Sequence, residues 1–146
     1  MELFINGLAA IASPETLALM ILGTIVGIIF GSVPGLTAVS GIALFLPVTY
    51  SLGPIKGMAL LIAIYIGAVS GGLIAAILIN IPGTPASVAT CFDGSPLAKK
   101  GQAYKALGVG TVFSFLGTIF GILVLVFVSP IIAEFALKFG PAEYFA

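Results

Sequence analysis

The sequence predicts an all-α integral membrane protein with several transmembrane helices, two of whose apolar segments are broken by Pro-Gly and are therefore discontinuous or re-entrant. Three observations predict it. Of the 146 residues, 60% are hydrophobic and 7% charged, whereas a soluble domain carries about 25% charged residues. The ten charges leave uncharged runs at 16–55, 57–92 and 106–133, each longer than the roughly 20 residues a spanning helix needs. Two of these runs contain a Pro-Gly pair followed at once by hydroxyl residues: Pro34-Gly35 before Thr37 and Ser40, and Pro82-Gly83 before Thr84 and Ser87. At membrane depth a broken helix strands backbone N–H and C=O groups at several kcal/mol each. Such breaks are tolerated where protein or a water-filled cavity covers them, and in transporters they hold substrate and coupling ions.

The elements follow in chain order. Residues 1–16 read as a short interfacial lead-in, and the lack of a basic stretch ahead of the first apolar run argues against a cleaved signal peptide. Ser13-Pro14-Glu15 carries the signals of a helix start: a cap, Pro in the first turn and an acid near the positive dipole end. Residues 15–33 form the first apolar segment, stopped by Pro34-Gly35. Residues 36–47 form a second, too short to span alone, so 15–47 fits either a broken spanning helix or a hairpin. Residues 48–57 read as a loop anchored at the interface by Tyr50 and Lys56. Residues 58–80 form the second long helix, which Pro82, Gly83 and Pro85 prevent from continuing. Tyr65 in its middle is expected to be core. A short small-residue segment at 84–92 leads to a polar loop at 93–102. Residues 103–130 form the third long helix, stopped by Ser129-Pro130. Residues 131–146 begin another amphipathic stretch, with Glu134 and Lys138 one turn apart. Its abrupt end is expected of a piece of a longer chain, so 1–146 is read as a single transmembrane domain, the N-terminal portion of something larger. Three lysines in the 93–105 region place it in the cytoplasm by the positive-inside rule.

Glycine spacing adds a packing signal. Gly23, Gly27, Gly31 and Gly35 recur every fourth residue, Gly67, Gly71 and Gly72 cluster, and Gly117 and Gly121 repeat the spacing. Each group strips one helix face of side chains so that backbones approach closely.

Two constellations are candidate sites. The first is Pro34, Gly35, Thr37 and Ser40, where a half-helix begins with free N–H donors and a positive dipole end suited to a carboxylate. The alternative is a Pro kink in an ordinary spanning helix. The second is Asn80, Pro82, Gly83, Thr84 and Ser87, with Thr90 beyond. Asn80 is costly in an apolar run and should have a partner. A helix end with exposed carbonyls beside it suits a cation, and the following N–H groups suit an anion. The alternative is capping alone, Asn80 closing one helix and Thr84 opening the next. Asp93 is a possible partner for the coupling cation, although Asp-Gly at a helix end more often makes a surface turn.

The same composition excludes other classes. There is no histidine and a single cysteine, Cys91, so no metal site built on His or Cys and no internal disulfide is expected. Net charge is zero with no arginine, so no nucleic-acid partner is expected. An intramembrane hydrolase using Ser70 would need an adjacent base, and the spans supply none, so no enzyme is expected. The remaining competitor to a carrier is a structural or assembly subunit, or a simple pore. A pore would want charged rings or a polar stripe, and these helices offer mostly Gly and Ala.

Three stretches carry a resemblance to a known family: Gly27-Ile-Ile-Phe-Gly-Ser-Val-Pro-Gly-Leu-Thr-Ala38, Tyr65-Ile-Gly-Ala-Val-Ser-Gly-Gly-Leu-Ile-Ala-Ala-Ile-Leu-Ile-Asn-Ile-Pro-Gly-Thr84 and Thr90-Cys-Phe-Asp-Gly-Ser-Pro-Leu-Ala-Lys-Lys-Gly101. With the tail Phe139-Gly-Pro-Ala-Glu-Tyr-Phe145, they resemble the large membrane subunit (TctA) of the tripartite tricarboxylate transporters. The resemblance covers most of the chain in the family's order. It departs at Ala68-Val69, where the family often has more polar or aromatic residues. It implies a multi-pass protein of the bacterial inner membrane that imports citrate-like carboxylates by symport with a cation, Na⁺ or H⁺. No other cofactor is implied. The partners implied are a small membrane subunit and a periplasmic solute-binding protein. The family's large subunit is several times longer and looks internally duplicated, so this chain would be one half of a repeat architecture, its N-terminal part.

Overall fold

Ser13 closes the lead-in helix α1 (Glu2–Ile11) and opens α2 (Pro14–Ser32), its hydroxyl accepting from the Thr16 amide at 3.4 Å while Pro14 takes the first helical position. The computed structural model describes residues 2–136, all of its regular structure helical. Lys138 and the tail 139–145 fall outside the described residues. After α2 come α3 (Ala38–Leu52), α4 (Pro54–Ile79), a 3₁₀ turn (Pro85–Ser87), α5 (Val88–Leu97), a wider π-type turn (Ala98–Gln102) and α6 (Ala103–Ala136). Three stretches are long and apolar enough to cross a bilayer: α2, α4, and the run through α6 as far as Pro130. Helix α3, with 15 residues, rises about 22 Å and falls short of a hydrocarbon core about 30 Å thick.

Residues 1–108 form one compact unit. Its centre is α4, whose Leu60, Ala63, Ile64, Ala68, Ala75, Ala76 and Ile77 are buried. Helix α2 lies along α4 in a seam of small residues, Gly23 against Leu60 and Ala63, Gly27 against Ile64 and Gly67, and Gly31 against Ala68. Both partners climb in sequence together, so α2 and α4 run parallel. A Cβ at Gly27 would stand 2.9 Å from the Gly67 Cα, and one at Gly71 would stand 3.0 Å from the Ile28 Cα. Only backbones with no side chain between them approach so closely. Helix α3 runs the other way, with Gly41 against Ile64 and Thr49 against Gly57. The chain therefore reverses between α2 and α3, and again between α3 and α4. Helix α5 also packs on α4, Gly94 lying on Ile77. The starts of α2 and α4 are joined by an ion pair between Glu15 and Lys56.

The second unit begins at Val109. Within it every side chain from Thr111 to Pro130 is exposed, as suits a helix whose surroundings are apolar.

Four expectations are overturned. The 48–57 loop is helical up to Leu52 and from Pro54, and the whole reversal is accomplished at Gly53, with φ 78°. The 93–102 loop is helix through Leu97, and its break falls at Gly101, also at φ 78°. The third long helix does not stop at Ser129-Pro130 but runs through to Ala136. In each case a proline, Pro47, Pro96 or Pro130, sits inside a helix. A proline removes one backbone bond. Around Pro47 and Pro130, in apolar surroundings, unwinding would expose many more unpaired groups, so the helix persists; around Pro96 the packing of Gly94 on Ile77 holds it. Finally, Tyr65 is not core. It lies two residues from Gly67, on the opposite side of α4, and is 53% exposed.

Candidate functional site

The first interruption, 33–37, is a tight turn. The Leu36 amide donates to the Val33 carbonyl at 3.1 Å across Pro34-Gly35, and Gly35 has φ 93°. Pro followed by a positive-φ glycine is the chemistry of a type II turn. Thr37 then caps α3, its Oγ1 accepting from the Ser40 amide at 3.4 Å and lying 3.3 Å from the Ser40 hydroxyl. Pro34, Gly35 and Ser40 are exposed and Thr37 half-buried. These hydroxyls bond one another and no residue of the second interruption.

The second interruption starts at Asn80, which closes α4 in the left-handed conformation (φ 56°, ψ 29°). Asn is one of the few residues with a side chain that adopts it readily. The chain then folds back. Gly83 lands against the carbonyl of Gly31, at the end of α2, and a Cβ there would stand 3.0 Å from the Gly72 Cα. Thr84 covers Gly72 so closely that a Cβ on Gly72 would be 2.7 Å from the Thr84 hydroxyl. A capping box fixes the turn. Ser87 Oγ donates to the Thr84 carbonyl at 2.8 Å and accepts from the Thr84 amide at 3.3 Å. Gly83, Thr84 and Ser87 are buried, while Asn80 and Pro82 stay exposed.

The fold thus joins Gly83 and Thr84 of the second constellation to Gly31 and Gly72, neighbours of the two breaks. It leaves Pro34, Gly35, Thr37 and Ser40 on the surface. Asp93-Gly94 forms no surface turn. It lies inside α5, with Asp93 exposed and Gly94 buried against Ile77, because the close fit of Gly94 to Ile77 holds α5 helical on α4. Among the described residues no cluster of three His, Cys, Asp or Glu side chains forms. A cation here would depend on carbonyl, hydroxyl and amide oxygens.

Beside the second interruption lies an open cleft of about 390 Å³ between Asn80-Pro82 and one face of α5, lined there by Cys91, Phe92, Ser95 and Lys99 among others. Sequence reasoning assigned Lys99 to a solvated loop and passed over Ser95. The i, i+4, i+8 spacing of Cys91, Ser95 and Lys99 would have placed them on one helix face, had the segment been read as helix.

The chain is 37% identical over 140 residues to an uncharacterized 52.8 kDa protein in the TAR-I ttuC′ 3′ region of Agrobacterium vitis. The match covers 96% of this chain and 28% of that protein's length. No solved structure matches. Residues 17–146 match the family model described as the tripartite tricarboxylate transporter TctA family. That match takes in the α2–α4 seam and both interruptions, and the chain belongs to this family.

Proposed function

We propose that this chain forms the N-terminal part of the large membrane subunit of a cation-coupled secondary transporter that imports citrate-like organic anions. The observation that carries the reading is the contact of Gly83 with the Gly31 carbonyl. The second interruption folds back onto the last turn of α2, just ahead of the first. Helix C-terminal ends point carbonyl oxygens and negative dipole ends at whatever lies beyond them. The ends of α2 and α4, with the Asn80 side chain, are therefore suited to Na⁺ or a proton carrier. The start of α3 at Thr37 and Ser40 offers N–H donors to an anion. Asp93 is a further candidate to meet the cation.

On this reading α2–α3 and α4–α5 are discontinuous or re-entrant hairpins in one transmembrane domain, and the chain is one half of a duplicated carrier. Family membership supports partnership with a small membrane subunit and a periplasmic solute-binding protein in a bacterial inner membrane, with the 93–105 region in the cytoplasm.

The test is uptake of labelled citrate by the complete transporter, with and without a Na⁺ or proton gradient. Gradient-dependent uptake that falls in Asn80→Ala and Pro34→Ala variants supports the reading. Normal transport by both variants removes the assigned site, and a stable complex with no uptake of any di- or tricarboxylate leaves a structural subunit instead.

A further inference from the structure

We propose that the cleft between Asn80 and α5 is a carboxylate-binding site in which Lys99 supplies the charge and Ser95 a hydroxyl donor. This deepens the organic-anion reading above and rests on it for the class of ligand.

Four observations point there. Lys99 is the one charged side chain on the lining of the cleft, and it makes no ion pair, the ion pair between described residues being Glu15 with Lys56. Ser95 lines the same cleft and is 2% exposed, so its hydroxyl sits in a largely desolvated part of the wall. A hydroxyl can turn its O–H toward a ligand oxygen, so Ser95 is placed to donate to an anion in the cleft. Ser95 and Lys99 are one turn apart on the same face, and Asn80, whose side-chain amide can donate, lines the opposite wall. Asp93, the acid nearest in sequence, is not part of the lining, so nothing of like charge opposes an anion. An ammonium, a hydroxyl and an amide converging on one open cleft fit a carboxylate, since hydrogen bonds to an ionised acceptor are the strong kind. The cleft adjoins Pro82-Gly83 and hence the junction with Gly31, so an anion held there would sit next to the proposed cation ligands.

The experiment measures citrate uptake kinetics in the complete transporter, reconstituted in vesicles of phosphatidylcholine alone and of phosphatidylcholine with phosphatidylglycerol. Lys99→Gln is expected to raise KM about tenfold and Ser95→Ala several-fold, as loss of a charge-assisted and a neutral hydrogen bond should. Maximal velocity should stay near wild type, Lys99→Arg should recover part of the affinity, and Lys100→Gln should match wild type. A KM for Lys99→Gln or Ser95→Ala within about twofold of wild type overturns the site, since a lost hydrogen bond is worth more. So does an effect of Lys99→Gln confined to vesicles with phosphatidylglycerol, which would assign the lysine to a lipid phosphate. If the wild-type transporter moves no carboxylate, the carrier reading fails. Equilibrium dialysis of citrate against purified wild type and Lys99→Gln in neutral detergent then decides the cleft alone: equal binding, or none by wild type, overturns it, and weaker binding by the variant upholds it.

Discussion

Gly83 rests against the backbone carbonyl of Gly31, with Gly72 on its other side, so no side chain fits at the point where the two interrupted segments meet. Gly31 is equally confined, since a Cβ there would stand 2.6 Å from the Ala68 Cα. The junction is backbone against backbone. Its geometry is fixed by the absence of atoms, which makes it sensitive to the smallest added group.

Adding one methyl at this junction should therefore be costly. Gly31→Ala and Gly83→Ala are each expected to destabilise the protein by about 1–3 kcal/mol through overpacking. Gly117→Ala, where a Cβ would meet nothing within 4 Å, should be neutral or stabilising by up to about 1 kcal/mol through helix propensity. Thermal unfolding in detergent compares the three. Equal melting temperatures would contradict the packing.

Asn80 carries two separable properties, a left-handed backbone and an amide. Asn80→Gly keeps the conformation and should leave stability within about 0.5 kcal/mol of wild type. Asn80→Val forces a β-branched residue to φ 56° and should cost about 1–2 kcal/mol. Both variants lose the amide, so both should weaken citrate transport. Transport by Asn80→Gly at the wild-type rate would restrict Asn80 to its capping role.

The Thr84–Ser87 box is buried, and its loss should be felt. Ser87→Ala removes the acceptor of the Thr84 amide and is expected to cost about 1 kcal/mol. Ser32→Ala removes only an exposed bond of 3.1 Å to the Ile29 carbonyl and should change stability by no more than about 0.5 kcal/mol. Chemical denaturation of both variants tests the difference.

The Glu15–Lys56 pair ties the start of α2 to that of α4 across 41 residues, but Glu15 is 67% exposed. A double-mutant cycle with Glu15→Gln and Lys56→Gln should give a coupling of about 0.2–1 kcal/mol, falling as salt shortens the screening length. A salt-independent coupling well above this range would mean that the pair is shielded from water.

Much of the architecture is legible along the chain because its causes are local. The start of α2 at Pro14 follows from Ser13 and Pro14, and the breaks after Ser32 and Ile79 follow from Pro34-Gly35 and Pro82-Gly83. The four-residue glycine spacing correctly marks the face of α2 that packs on α4. The errors also have physical causes. Pro47, Pro96, Pro130 and the polar run around Asp93 are loop signals in water, where a freed backbone group finds another partner. In apolar surroundings it does not, so α3 and α6 run through Pro47 and Pro130, the fit of Gly94 to Ile77 keeps α5 helical past Asp93, and the chain breaks at Gly53 and Gly101 instead. The cleft was missed for the same reason: Ser95 and Lys99 share a face only if 93–99 is helical.

By itself, the sequence determined that this chain belongs to a bilayer, that its helices break at the two Pro-Gly pairs and that α2 and α4 carry faces stripped for contact. Each of these depends on composition or on residues within a turn of one another. Only the tertiary structure decided that α2 and α4 run parallel, that Gly83 returns to Gly31, and that Asn80, Ser95 and Lys99 line one cleft. Those relations join residues many turns apart in sequence, and they are set by which backbones approach closely enough to exclude a side chain, a property of pairs of helices that no single segment carries.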